Sequence, residues 1–161
     1  MSAGRIETAA VPGDAGAVLP AFDFADAYAV SVTGAPLDAL SAAMRAFSRA
    51  PRWIGALMAL RNMLVAPLGL VTTSTPGMAS RRRVGWFPVI EENLHRVVLG
   101  LDDRHLDFRI LMDVAGDNGR QRVTATTLVR THNLTGRLYL AAVMPFHRII
   151  VPAMLRRVHS A

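Results

Sequence analysis

The sequence predicts an α+β fold in which a curved antiparallel sheet wraps a long C-terminal helix, with two helices after the first strand. Three observations carry this. Residues 22–33 alternate with a period of two, residues 84–131 hold a run of strand-like segments broken by short turns, and residues 136–158 place apolar side chains at helical spacing.

The first 21 residues, rich in Ala, Gly and Pro, read as a flexible arm (1–21) ahead of a single domain (22–161). In the first strand Phe24, Tyr28, Val30 and Val32 share one side, and Ala25, Ala27, Ala29 and Ser31 the other. The turn Thr33 to Pro36 then opens a helix on Leu37, Leu40, Met44 and Phe47, with Pro36 at a first-turn position where its missing N–H costs nothing. Pro51 ends that helix and begins another. There Trp53, Ile54, Leu57, Met58, Leu60, Met63 and Leu64 cover most of the circumference until Pro67 and Gly69, which implies burial on more than one side. Residues 72–83 are a loop by composition.

Strands follow over 84–90, 95–101, 104–114 and 120–131. A two-residue turn at Asp102-Asp103 sets Leu99 opposite Leu106 and Val97 opposite Phe108. A turn around Asp117-Asn118 sets Met112 opposite Val123, Ile110 opposite Ala125 and His105 opposite Arg130. This register gathers Val97, Leu99, Leu106, Phe108, Ile110, Met112, Val123, Ala125 and Val129 on one face. Arg96, His105, Asp107, Arg109, Asp113, Arg122, Arg130 and His132 fall on a polar opposite face. The last helix turns Tyr139, Ala142, Val143, Phe146, Ile150 and Ala153 inward. Asn133 or Thr135 caps it, Gly136 permits close packing, and Pro145 and Pro152 bend it convex to water.

Composition then excludes several chemistries. The chain of 161 residues has no cysteine, which removes thiol catalysis and Cys-ligated metals, and its 18 basic residues are all Arg, which removes lysine Schiff bases and a Walker-type phosphate lysine. No glycine-rich GxGxxG segment, GxSxG elbow or HxxxH pair occurs, so neither a cofactor nor a metal is expected. The net charge of +6 and pI near 11.3 come from scattered arginines without a base-reading helix or an aromatic ladder, so no nucleic-acid partner is expected. Mean hydropathy is high at +0.29, yet residues 54–71 and 138–155 are interrupted by Arg and Pro and read as core-facing helices rather than membrane spans. The start lacks a secretory pattern, and a cytoplasmic location is expected.

The order strand, helix, helix, antiparallel meander, long helix resembles the helix-grip fold of the START, plant pathogenesis-related and polyketide-cyclase superfamily. That resemblance implies an apolar cavity between sheet and last helix. LGLDDRHLDFRI, TTLVRTHNLTGRLYLAAVMPFHRIIVPAMLRR and WFPVIEE are similar to a bacterial family of domain of unknown function 2867. Its resemblance implies a domain that stands alone or follows an NAD(P)-dependent short-chain reductase domain, and it carries no activity.

Candidate residues follow. His105, Asp107, Arg109, Arg130 and His132 form a polar cluster in which His105 and Asp107 would supply acid and base, although one wet strand face gives the same pattern. His147 flanks the inner face of the last helix as a cavity acid, base or ligand contact, or as a satisfied rim histidine. Arg81, Arg82 and Arg83 are an anion contact or solvating charges. The leading expectation is a non-enzymatic domain holding an apolar or amphipathic small molecule, lipid or polyketide-like, against Phe108, Ile110, Met112, Tyr139, Val143, Phe146, His147 and Ile150. Its alternatives are a cyclase- or dehydratase-like enzyme using His147 or His105 with Asp107, and an accessory domain that forms a homodimer or joins a reductase through the second helix around Trp53 and Leu57.

Overall fold

The computed structural model describes residues 4–49, 51–68, 82–117 and 119–159. In chain order these form β1 (Glu7–Thr8), α1 (Ala15–Val18), β2 (Phe24–Thr33), α2 (Ala39–Phe47), α3 (Arg52–Val65), β3 (Arg83–Val84), β4 (Phe87–Glu92), β5 (Arg96–Asp102), β6 (Leu106–Gly116), β7 (Arg120–Thr131) and α4 (Leu134–Arg156). The strands make one seven-stranded sheet in the order β1-β2-β7-β6-β5-β4-β3, and every paired neighbour is antiparallel. With α2 and α4 packed on one face, the architecture is α+β and helix-grip-like.

Local residues account for the helix starts. Asp38 caps α2 by accepting from the Ser41 N–H at 2.7 Å, so Pro36 lies before the cap rather than in the first turn. Asn133 caps α4, its side-chain oxygen accepting from the Gly136 N–H at 3.0 Å. Gln121 on β7 reaches both backbone groups of Leu37, accepting its N–H at 2.8 Å and donating to its carbonyl at 3.0 Å, which ties the approach to α2 onto the sheet.

Both hairpin registers differ from expectation. β5 pairs with β6 so that Val97 faces Met112, Leu99 faces Ile110 and Leu101 faces Phe108; the two-residue turn is Arg104-His105, flanked by Asp103 and Leu106. β6 pairs with β7 so that Phe108 faces Val129, Ile110 faces Thr127 and Met112 faces Ala125. Each partner moves by an even number of residues, so every side chain keeps its predicted face. The turn lies two residues later than expected because the His105 carbonyl is held by the His132 N–H at 2.9 Å, a contact with the entry to α4 that no local pattern encodes. The expected strand 84–90 is instead a hairpin, with Gly85 at φ +58 turning β3 into β4. The loop at 69–81 lies outside the described residues.

The face toward α2 and α4 carries the main core, in which Val30, Val97, Leu99, Met112 and Val123 pack with the buried alanines of α2 and with Met154, Leu155 and Val158. The opposite face is not uniformly polar. Val98, Leu111 and Leu128 form a second core there with Ala15 and Leu19, and Val11, Val18, Phe22 and Ala25 pack around it. The N-terminal segment, read from composition as a flexible arm, is thus laid across the sheet. Glu7 and Thr8 pair with Ala29 and Tyr28, and ion pairs join Arg96 to Asp14 and Arg122 to Glu7.

On α3, Ile54 is buried while Trp53 and Met63 are exposed; the side chains of Leu57, Met58, Leu60 and Leu64 lie outside what is described. On α4 only Gly136, Met154 and Leu155 are buried, and Leu138 and Ile149 are each 63% exposed. The helix faces the core with one side alone. Gly136 fits against the β5–β6 turn because it has no side chain: a Cβ there would lie 2.1 Å from the His105 carbonyl oxygen. Gly136→Ala is therefore expected to destabilise the protein by about 1–3 kcal/mol, measured as a lower urea midpoint with unchanged slope.

Candidate functional site

Between the sheet and the middle of α4 lies a cavity of about 220 Å³. Its floor is Leu106, Phe108 and Ile110 of β6 with Ala125, Thr127 and Val129 of β7, and its roof is Tyr139, Leu140, Val143, Met144, His147, Ile150 and Val151 of α4. Phe47, Ile54, Arg83, Trp86, Phe87 and Asp103 complete the wall. The alternation of β6 and β7 supplies the floor, since Phe108 and Ile110 point the same way and their partners Val129 and Thr127 lie beside them. The α4 residues recur at three- and four-residue steps and form one helix face. Phe87 stands edge-on to Phe108 with centroids 5.8 Å apart, and to Phe47 at 5.7 Å, closing the β4 side.

One roof residue makes a polar contact with the sheet. His147 Nε2 lies 3.0 and 3.1 Å from the two carboxylate oxygens of Asp26 on β2, with both side chains largely shielded from water. Phe24 stacks its edge on the imidazole at 6.0 Å and 88°. Because a carboxylate accepts, the imidazole Nε2 is the donor in this contact. The pair can orient a ligand's polar end or move a proton.

The predicted lining residues divide. Phe108, Ile110, Tyr139, Val143, His147 and Ile150 line the cavity. Met112 does not: it is fully buried in the main core beyond the cavity floor. Phe146 does not either: one hundred degrees along the helix from His147, it is 48% exposed to solvent. Asp26 was missed, although its place between Phe24 and Tyr28 in a period-two strand puts it on their face. Of the basic run, Arg83 lines the cavity, Arg82 pairs with Glu92 at 2.8 Å on the surface, and Arg81 lies outside the described residues.

The family model described as protein of unknown function (DUF2867) matches residues 18–154. The chain belongs to that family. The matched segment runs from the end of α1 to the last turn of α4 and so contains both walls of the cavity. No curated protein and no solved structure matches the chain.

The polar cluster does not converge on one site, and it faces away from the cavity. Asp107 accepts from Arg130 at 2.6 Å and pairs with His132 at 3.0 Å on the outer face of the sheet. Arg109 pairs instead with Asp102 at 2.7 Å. His105 sits in the turn, where its Nδ1 meets the Asn133 side chain and its Nε2 accepts from Arg104 at 3.1 Å. The His105 and Asp107 pair expected from sequence is replaced by an Arg130–Asp107–His132 network, because Asp107 rather than His105 lies opposite Arg130. Burial works against ionisation of Asp107, but hydrogen bonds and charge from His132 and Arg130 outweigh it and hold the carboxyl below the usual carboxylate range.

A carboxyl whose pKa is lower folded than unfolded stabilises the fold above its unfolded value of about 3.9, and that stabilisation is lost as pH falls through the folded value. Asp107→Asn is expected to cost about 1–2 kcal/mol at neutral pH, since Arg130 and His132 stay partly solvated. In urea titrations the gap between variant and parent should close as pH falls below the unfolded value and through the lower folded one. A gap independent of pH would assign the loss to packing instead.

Proposed function

We propose that this chain is a binding domain for an apolar or amphipathic small molecule, lipid or polyketide-like, held between the sheet and α4. The observation that carries the reading is the cavity itself: about 220 Å³, with apolar side chains on floor and roof and one roof residue, His147, that holds a polar contact to Asp26. Such a surface suits a ligand that leaves water for a hydrocarbon lining and places one oxygen or nitrogen near His147. The methionines Met144 and Met154 on α4 let the roof adapt to the ligand's shape.

The test is direct. Purified protein is transferred gently into a mass spectrometer, then denatured and extracted, and a stoichiometric apolar passenger is expected. In parallel, Val143→Trp fills the roof and is expected to lower uptake of a fluorescent fatty-acid probe at least tenfold while the circular dichroism of α4 is retained. Unchanged uptake by a folded Val143→Trp protein would place the probe elsewhere and sink the reading.

The His147–Asp26 contact favours a second reading, in which the same cavity hosts acid–base chemistry of a cyclase or dehydratase kind with His147 as the base and Asp26 orienting it. His147→Gln separates the two. Under the binding reading it weakens probe affinity by no more than about tenfold, the worth of one hydrogen bond to a buried group. Under the catalytic reading it leaves affinity in place and removes turnover.

A further inference from the structure

The outer face of α4 carries an apolar row for which the cavity has no use. Leu134, Leu138 and Ile149 are 69%, 63% and 63% exposed, and Phe146 lies beside them. On a helix of 3.6 residues per turn Leu134, Leu138 and Ile149 fall on the side opposite His147, with Pro145 among them and Phe146 at their edge. By length and composition alone Leu134–His159 would suffice to cross a bilayer. It does not serve as a span here, because its other side roofs the cavity and its ends are packed into the fold.

Charge identifies the occupant of this face. Helices α2, α3 and α4 contain no aspartate or glutamate, while Arg45, Arg52, Arg137, Arg148 and Arg156 lie on them. The chain's carboxylates are confined to the N-terminal segment, the approach to α2, and the strands and turns. Arg137 and Arg148 are about three turns apart on one flank of the apolar row, and Arg156 ends it. Among the described residues Arg137, Arg148 and Arg156 enter no ion pair, and Asp23, which feels the charge of Arg137, is engaged by Thr131. A second copy of the chain would bring the same arginines against themselves across a two-fold axis, with no helical carboxylate to answer them.

We infer that the outer face of α4 docks on an anionic membrane surface, with Leu138, Phe146 and Ile149 entering the headgroup boundary and Arg137, Arg148 and Arg156 meeting lipid phosphates. The helix lies in the plane of the surface, as an apolar row edged by arginine does. The inference is independent of what the cavity holds.

Flotation of the full chain with vesicles tests it. Binding is expected to vesicles of phosphatidylcholine with phosphatidylglycerol, to weaken severalfold for phosphatidylcholine alone, and to fall with added salt. Leu138→Glu with Ile149→Glu, both at exposed positions, should abolish flotation, whereas fatty-acid probe uptake by the same protein should persist. Arg137→Gln and Arg148→Gln should each weaken binding to the anionic vesicles about fivefold. Absence of flotation from the parent protein, or flotation unaffected by the Leu138 and Ile149 changes, would overturn the inference. Self-association in sedimentation that those changes disrupt, without vesicle binding, would overturn it in favour of an interface between copies.

Discussion

The geometry of this molecule depends on how α4 is held, because the helix is fastened at its two ends and spans the space between. At its start the Gly136 backbone presses on the His105 carbonyl, the His132 N–H donates to that same carbonyl, and Asn133 caps the helix while meeting the His105 ring. At its end Met154, Leu155 and Val158 sink into the main core beside α2. The first anchor is polar and directional and fixes height above the sheet; the second is apolar and supplies burial. Between the two anchors, His147 on α4 meets Asp26 on β2 and ties the middle of the helix to the sheet. The cavity is what this arrangement leaves.

The sheet serves two masters through its period of two. Inward residues of β2, β5, β6 and β7 build the main core and the cavity floor, and outward Val98, Leu111 and Leu128 need a cover of their own, which the N-terminal segment provides. That cover is pinned by ion pairs: Arg96 reaches Asp113 on the sheet and Asp14 on the segment, and Arg122 reaches Glu7. Carboxylates are therefore placed on the sheet side of the molecule, where Glu7, Asp14, Asp102, Asp107 and Asp113 each meet an arginine. The helical side is left with arginine alone, and this segregation of charge follows from which layer needs ion pairs to hold it together.

What the sequence disclosed and what it withheld divide along the same physical line. Faces were legible, since alternation survives an even shift of register: Phe108 and Ile110 reached the cavity although both hairpin partners had been assigned differently. Caps were legible because they are local, as Asn133 shows. The position of the β5–β6 turn was not, because it is set by a carbonyl that must meet a helix thirty residues later in the chain. The polar cluster misled because the β6–β7 register is shifted from the expected one, which puts Asp107 rather than His105 opposite Arg130. Asp26 could have been found by applying to β2 the alternation that located its neighbours. The inner side of α4 was legible from its three- and four-residue steps, which placed Tyr139, Val143 and Ile150 at the cavity, although Phe146 falls at the edge of that stripe and is exposed.

A void of this size has an energetic consequence that bears on its use. At about 24 cal/mol per Å³, an apolar space of about 220 Å³ forgoes at most about 5 kcal/mol relative to the same core filled. That compares with the whole stability of a small domain, about 5–15 kcal/mol. Larger side chains at Val143 or Ala125 would recover part of it without disturbing either anchor of α4, since neither residue takes part in them. Small residues at those positions keep the space open, and an apolar ligand that fills it supplies the missing contacts only in the bound state. Under the proposed binding function, the free energy withheld from folding is available to the ligand.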